Sequence, residues 1–154
     1  MDKNDLIITK EGLEELKEEL KKLLEEKRPE VANRIKDARE LGDISENSEF
    51  DAAKQEQAFV EGRISELEEI IKNAVVTEAT NKDAVGIGAK VTVHIDSNDD
   101  TFHIVGAPEA DPMKKKISVE SPLGSSLMGK KVGDKIEVEA PVGKLTYTIL
   151  KIEY

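Results

Sequence analysis

The stretch FDAAKQEQAFVEGRISELEEIIKNA, residues 50–74, carries a mostly apolar seam at alternating steps of three and four residues. The seam positions are Phe50, Ala53, Gln57, Val60, Ile64, Leu67, Ile71 and Ala74. This is heptad spacing, which lines up one side of an α-helix against a partner helix. The stretch therefore predicts a long helix with one buried face.

A second apolar stripe precedes the first along the chain. Its members are Leu13, Leu16, Leu20, Leu24, Val31, Ile35 and Ala38, with one long step at Lys27 and Arg28. Pro29 follows that step, and because proline removes a backbone hydrogen bond we expect a kink or short break near residues 26–29. The two stripes match in length, so they predict an antiparallel helical hairpin, a rod of roughly 45 Å.

The segment between the stripes, ELGDISENSEF at residues 40–50, concentrates acidic side chains at the expected tip of the rod. Gly42 can end the first helix in a left-handed conformation, and Asp43 followed by Glu46 is close to a capping box for the second. The same two carboxylates also offer two oxygen ligands to a divalent cation such as Mg²⁺. Two acids do not make a tight site alone, but they can complete one in another protein. Both interpretations remain open at this point.

Composition excludes several classes of protein. The chain has 154 residues, formal net charge -10 and no Cys, which excludes disulfides, thiol nucleophiles and cysteine-ligated zinc. The acidic balance argues against independent binding to nucleic acid, which depends on a basic face. No apolar run approaches the length of a membrane span and no signal layout opens the chain, so we expect a cytoplasmic protein without a membrane partner.

The second half of the chain has a different pattern. Residues 1–77 hold three Gly and one Pro, whereas residues 78–154 hold seven Gly and four Pro. Strands are predicted in AVVTEA, AKVTVHID, TFHIVG, KISVES, DKIEVEAP and KLTYTILKIEY, with a short helix opened by Pro122 and ended by Gly129. We therefore predict an α+β protein, with a coiled-coil domain at 1–77 and a small antiparallel β-sheet domain with one short helix at 78–154.

An ordered set of motifs carries a resemblance to a known family. They are LIITKEGLEELKEEL at 6–20, KRPE at 27–30, LGDISENSEFDAAKQEQ at 41–57, EGRISELE at 61–68, IVGAPEAD at 104–111, KISVESPLGSSLMGKKVGD at 116–134 and YTILKIEY at 147–154. The chain resembles the bacterial Gre transcript cleavage factors over nearly its whole length.

The resemblance implies a partner and a site. Gre factors insert a coiled coil through the secondary channel of RNA polymerase, where two tip acids help to bind a second Mg²⁺ and activate water to cut the 3′ end of backtracked RNA. By motif position these acids are Asp43 and Glu46. The Mg²⁺ is shared with the polymerase active site, and the resemblance implies no cofactor on the isolated protein.

The resemblance also suggests further contacts. Arg39 and Lys54 match positions that guide the RNA 3′ end or contact the polymerase, although exposed helical cations commonly form only weak surface pairs. The C-terminal half is expected to have an FKBP-like fold and to dock at the rim of the channel through the loop at Ser121 and Pro122, although Pro122 could simply begin the short helix. Phe50 stands where many relatives have Tyr, and core packing is its expected role.

Three classes of function compete. The leading one is an elongation factor that supplies carboxylates to the polymerase without being an enzyme itself, and an inhibitory Gre homologue is the nearest rival. A prolyl isomerase or chaperone would need an aromatic-lined pocket, which Phe102, Tyr147 and Tyr154 can hardly build. A free-standing metal nuclease would need more ligands than an exposed tip offers. His94 and His103 lie in predicted strands without a ligand pattern, and we interpret them as structural.

Overall fold

Helices make up most of the described residues in the first half of the chain. The computed structural model describes residues 5–42 and 48–154. Helix α1 spans Lys10–Lys22, a π-helical segment spans Leu23–Lys27, α2 spans Arg28–Glu40 and α3 spans Ser48–Asn73. The 26 residues of α3 give a helix about 39 Å long. The two stripes seen in the sequence are therefore carried by helices, as predicted.

The apolar seam forms the core between these helices. Val31 and Ile35 of α2 pack in one buried cluster with Ala53, Val60 and Ile64 of α3. Partly buried side chains extend the cluster at both ends: Leu20, Leu23, Leu24 and Phe50. As the residue number increases along α2, the number of the partner residue in α3 decreases: Arg28 pairs with Glu61, and Arg34 pairs with Glu49. The predicted antiparallel pairing is confirmed.

Of the kink or short break expected near Pro29, no break occurs, and the irregularity found there is a π-helical turn. Lys22, Lys27 and Arg28 all keep right-handed helical dihedral angles, so the helical path continues. The N–H of Arg28 donates to the carbonyl of Leu23, five residues back. A π-helical turn is wider than an α-helical one, and here the wider turn lies directly before the proline. The chain thus accommodates Pro29 by widening one turn rather than by breaking.

Within the described residues, 5–42 and 48–154, seven strands form two sheets. Their bounds are β1 Leu6–Ile8, β2 Ala74–Val76, β3 Lys90–Ile95, β4 Asn98–Val105, β5 Lys116–Ser118, β6 Lys135–Ala140 and β7 Gly143–Glu153. Five of them form one sheet in the order β5-β4-β3-β7-β6, accompanied by the short helix α4, Pro122–Leu127. Its buried core consists of aliphatic side chains: Val85, Ala89, Val91, Val93, Ile104, Leu127, Ile136 and Ile149. An aliphatic core is consistent with the few aromatic residues of the second half, Phe102, Tyr147 and Tyr154.

Two details of the sheets differ from the prediction of an antiparallel sheet. Strands β4 and β5 pair in parallel, and the connection between them contains two 3₁₀ turns, Ala107–Glu109 and Pro112–Lys114. Strand β1 is absent from the prediction. It pairs in parallel with β2, and the two strands form a sheet separate from the five-stranded one. A three-residue strand whose partner lies 68 positions along the chain leaves no local pattern in the sequence. The α+β fold class is confirmed.

The chain divides into two compact units. The helical unit is Glu14–Asn73, and the sheet unit combines the residues up to Leu13 with Ala74–Tyr154. The sequence predicts one boundary after residue 77, whereas the sheet unit also includes the residues up to Leu13, which form β1 and the start of α1, and the segment that forms β2. None of the helices in the described part of the chain is long and apolar enough to cross a membrane.

Candidate functional site

In the sequence, the predicted tip acids lie between the end of α2 and the start of α3. Asp43 and Glu46 themselves lie outside the described residues. On one side, α2 ends at Glu40 and Gly42 has a φ of +118°, a conformation that L side chains rarely adopt. On the other side, α3 begins at Ser48. The prediction that Gly42 ends the first helix is confirmed, whereas the capping and metal-binding roles of Asp43 and Glu46 stay predictions.

Arg39 and Lys54 share one aromatic partner. The guanidinium carbon of Arg39 lies 5.9 Å from the centroid of the Phe50 ring, and the ammonium of Lys54 lies 5.8 Å from it. Both cations are exposed, and Phe50 is half-buried against the helical core. Cations at this distance are attracted to the electron-rich ring face. The structure thus brings together three of the residues singled out in the sequence, Arg39, Phe50 and Lys54.

Ion pairs also connect α2 to α3, through Arg34 and Arg28 of α2. Arg34 pairs with Glu49 at 3.0 Å and also with Glu56, while Arg28 forms a bidentate pair with Glu61 through two bonds of 2.8 Å. The hydrogen bond from Arg28 lowers the pKa of Glu61 below its ordinary value. Bidentate pairs fix geometry as well as charge, so they keep the two helices in register.

Lys27 occupies the seam position between Leu24 and Val31. Its ammonium lies 2.7 Å from Glu56 and 3.8 Å from Glu30, and the hydrogen bond to Glu56 raises the pKa of Lys27. The same bond lowers the pKa of Glu56. At this seam position the two helices are therefore joined by an ion pair, beside the apolar packing of Leu23 and Leu24 against the helical core.

Ser121 and Pro122 have a structural role in the sheet unit. Pro122 is the first residue of α4, and the Ser121 hydroxyl oxygen accepts a hydrogen bond of 3.0 Å from the N–H of Gly124. The same hydroxyl donates to the carbonyl of Ser118 at 2.7 Å. Ser121 is thus the N-cap of α4, which is the structural alternative left open by the sequence. A docking role for the same loop stays a prediction.

The two histidines occupy the strands predicted for them. His94 lies 2.7 Å from Asp99 through its Nδ1 atom, across the β3–β4 hairpin. Burial lowers the pKa of His103, and Lys90 and Lys116 act in the same direction. Within residues 5–42 and 48–154, no group of three or more His, Cys, Asp or Glu side chains is arranged to hold a metal ion.

One partly buried set of polar contacts, centred on Glu109, gave no signal in the sequence. The Glu109 carboxylate accepts hydrogen bonds from the Thr9 N–H at 2.8 Å, from the Thr9 hydroxyl and from the Gly106 N–H at 3.1 Å. The Thr9 hydroxyl oxygen in turn accepts from the N–H of Gly12 at 3.0 Å, which caps the start of α1. IVGAPEAD was noted only as a motif, since a partner 100 residues away leaves no trace in local spacing.

Comparison with known proteins covers both halves of the chain. Residues 6–76 match the family model described as transcription elongation factor, N-terminal, and residues 79–154 match the one described as transcription elongation factor GreA/GreB, C-terminal.

Individual relatives match over almost their whole length. The transcription elongation factor GreA of Thermoanaerobacter pseudethanolicus is 53% identical over 151 residues, 96% of each chain. That of Lactococcus lactis subsp. cremoris is 51% identical over 150 residues, 95% of this chain and 96% of its own. The crystal structure of GreA factor homolog 1 from Thermus thermophilus is 30% identical, covers 97% of this chain and 99% of its own, and superposes with a TM-score of 0.46.

Proposed function

Because the chain belongs to the GreA/GreB family of transcription elongation factors, we propose that it stimulates RNA cleavage by RNA polymerase. In this proposal the coiled coil enters the secondary channel of a backtracked polymerase and carries Asp43 and Glu46 to the active centre. The cleaved RNA then has its 3′ end back in the active centre, and the arrested complex resumes elongation. The observation that carries the proposal is the match of both halves of the chain to the family; in the sequence, Asp43 and Glu46 lie between the end of α2 and the start of α3.

The two acids act on a metal that the polymerase holds. Carboxylates are hard oxygen ligands, and Mg²⁺ is commonly bound by one or two of them together with water and phosphate oxygens. Asp43 and Glu46 would complete such a shell and orient a water for in-line attack on the RNA backbone. Catalysis of this kind needs the polymerase, and the factor supplies ligands to its active site.

Arg39 and Lys54 would contact the RNA 3′ end or the polymerase. Phe50 lies between their charges and the helical core, so it can position both cations while its ring packs against the apolar seam. The sheet unit would dock at the outer rim of the channel through the Ser121–Pro122 loop. The cap of α4 holds this loop in one conformation, which suits a contact surface.

Transcript cleavage on stalled complexes tests the proposal. We expect Asp43→Asn and Glu46→Gln to abolish stimulated cleavage while polymerase binding stays close to that of the unmodified chain. Asp37→Asn and Glu40→Gln are matched controls, because they remove exposed acids from the same arm without touching the proposed pair. Normal cleavage by the Asp43, Glu46 double variant would refute the assignment. The factor should also lower the Mg²⁺ concentration needed for cleavage, and an unchanged titration would count against it.

The rival functions give different results. An inhibitory homologue would suppress cleavage on the same complexes, and a nuclease would cut RNA without polymerase. Prolyl isomerisation is disfavoured by the sheet unit, where a surface cavity of about 230 Å³ is lined by Lys10, Glu11, Glu78 and Lys82 and by one aromatic side chain, Tyr154. A proline-peptide assay checks this point.

A further inference from the structure

A row of three basic side chains crosses one face of the five-stranded sheet. Lys90 of β3 is directly opposite His103 of β4, and His103 is directly opposite Lys116 of β5. Residues paired in this way project from the same face of a sheet, and successive residues along a strand project from opposite faces. The next residues, Val91 and Ile104, are buried in the core. The basic row therefore lies on the face away from the core and spans two strand spacings, about 10 Å.

The charges that act on His103 are positive on balance. Burial lowers the pKa of its imidazole below the ordinary value of 6.5, and Lys90 and then Lys116 lower this pKa further. Glu109 and Glu11 raise the pKa of His103, but each of these acids acts less strongly than either lysine. The centre of the row is thus a half-buried imidazole in a positive local field, although the chain as a whole has a formal net charge of -10.

Two hydroxyl groups lie beside the basic row. Thr92 and Thr101 are the next pair along β3 and β4 on the same face, and their hydroxyl oxygens are 3.1 Å apart. Both hydroxyls are exposed, and each can donate a hydrogen bond. Two ammonium groups, an imidazole N–H and two hydroxyls are a set of donors suited to phosphate oxygens.

The positive part of this face is small. Opposite Lys90 on the other side is Glu153 of β7, which is bound to Lys151 at 2.5 Å. Beyond the two threonines, His94 is bound to Asp99 at 2.7 Å. Neither of these flanking pairs carries a net positive charge. The face therefore has the charge to bind one phosphate group but offers no further positive charge to the next phosphate of a nucleic-acid strand.

We propose that the row formed by Lys90, His103 and Lys116 binds the terminal phosphate group of a small molecule such as a nucleotide. The two ammonium groups pair with phosphate oxygens, and the imidazole and a threonine hydroxyl donate hydrogen bonds to them. This site lies within the sheet unit, and it goes beyond the proposed function, which assigns no ligand to this face.

NMR titration of the imidazole signals tests the site in the full chain. The chain has two histidines, so His94→Gln leaves one signal and assigns both. We expect inorganic phosphate and adenosine monophosphate to raise the pKa of His103, because a bound anion favours the charged imidazolium, and to leave that of His94 nearly unchanged. Sodium chloride at the same ionic strength is the control. No shift at His103, or an equal shift at both histidines, would overturn the proposal.

Affinity for adenosine monophosphate tests the individual side chains. Lys90→Gln and Lys116→Gln should each weaken binding about fivefold, since each removes one charge-assisted contact at a site open to solvent. Glu11→Gln should tighten binding about twofold, because it removes an acid that acts on His103. Lys144→Gln is the matched control, since it removes an exposed ammonium at the opposite end of β7. Equal affinity of all four variants would show an adventitious ion only and would refute the site.

A short RNA without a terminal phosphate distinguishes one phosphate group from a strand. We expect this RNA to bind more weakly than adenosine monophosphate. Tighter binding of the RNA, lost in Lys90→Gln, would show that the face follows a polynucleotide backbone and would overturn the proposal. All of these measurements are made without polymerase, so their failure would leave the proposed function unchanged.

Discussion

Replacing Gly12 with Ala should destabilise the protein, although the same substitution inside a helix usually stabilises it. Gly12 lies in the first turn of α1 and is buried. A Cβ atom there would lie 1.8 Å from Oε1 of Glu109, far inside any permitted contact. Gly62 in α3 has no atom within 4 Å of the corresponding point and serves as the control.

The size of the effect follows from the hydrogen bonds that the Glu109 carboxylate loses. Replacing Gly by Ala in a helix interior stabilises by up to about 1 kcal/mol, and Gly62→Ala should show that gain. In Gly12→Ala the Glu109 side chain has to move, and it loses the three hydrogen bonds that it accepts from Thr9 and Gly106. Hydrogen bonds to charged groups contribute about 1.5–3 kcal/mol each, but partial exposure of this site and rearrangement recover some of the loss. We expect Gly12→Ala to destabilise the sheet unit by about 2 kcal/mol.

Urea unfolding measures both variants. The chain has two tyrosines and no tryptophan, and Tyr147 and Tyr154 both belong to the sheet unit, so tyrosine fluorescence reports on that unit. Far-UV circular dichroism reports mainly on the helices. The decisive comparison repeats Gly12→Ala in a Glu109→Ala background, where the added methyl group meets no carboxylate and should become neutral or stabilising. Equal destabilisation in both backgrounds would refute the reasoning.

Three further predictions follow from other contacts. The pKa of Glu61 is depressed below its ordinary value of 4.5 by Arg28, so its contribution to stability is complete above that pH and is lost as the pH falls through the lower folded-state value. Glu61→Gln should therefore give a flatter pH dependence of helical-unit stability in acid, and an unchanged acid titration would contradict this. Ser121→Ala should destabilise the sheet unit by about 1 kcal/mol through loss of the α4 cap, whereas Ser125→Ala, whose hydroxyl donates only to the Pro122 carbonyl, should be close to neutral in the same urea titration. Phe50→Leu keeps an apolar seam residue but removes the ring that Arg39 and Lys54 share, so under the proposed function it should lower stimulated cleavage about fivefold while Phe50→Tyr retains it. Equal cleavage by the two Phe50 variants would show that the ring has no positioning role.

Much of the fold was predictable because its signals are local. Heptad spacing identified the two stripes whose members Val31, Ile35, Val60 and Ile64 are buried together. Period-two patterns and turn residues located six strands, and Pro122 with Gly129 bounded the short helix. The positive φ of Gly42 was also predictable, since glycine after an apolar helical stripe commonly takes this conformation.

The candidate site was predictable only in part. Arg39, Phe50 and Lys54 were singled out as separate residues, but their convergence on one ring depends on how α2 packs against α3. The row of Lys90, His103 and Lys116 gave no signal because its members come from three strands that only the pairing of the sheet brings together.

The sequence by itself determined the two kinds of periodicity, the acidic segment between the stripes and the family, because each is encoded by residues close together in the chain. Only the tertiary structure determined the π-helical turn before Pro29, the parallel pairing of β1 with β2 and the hydrogen bonding of Thr9 to Glu109. These features join residues that are distant in sequence or depend on how one helix accommodates another. Their stabilisation arises only when the partner group is already in place, so no local pattern of residues records them.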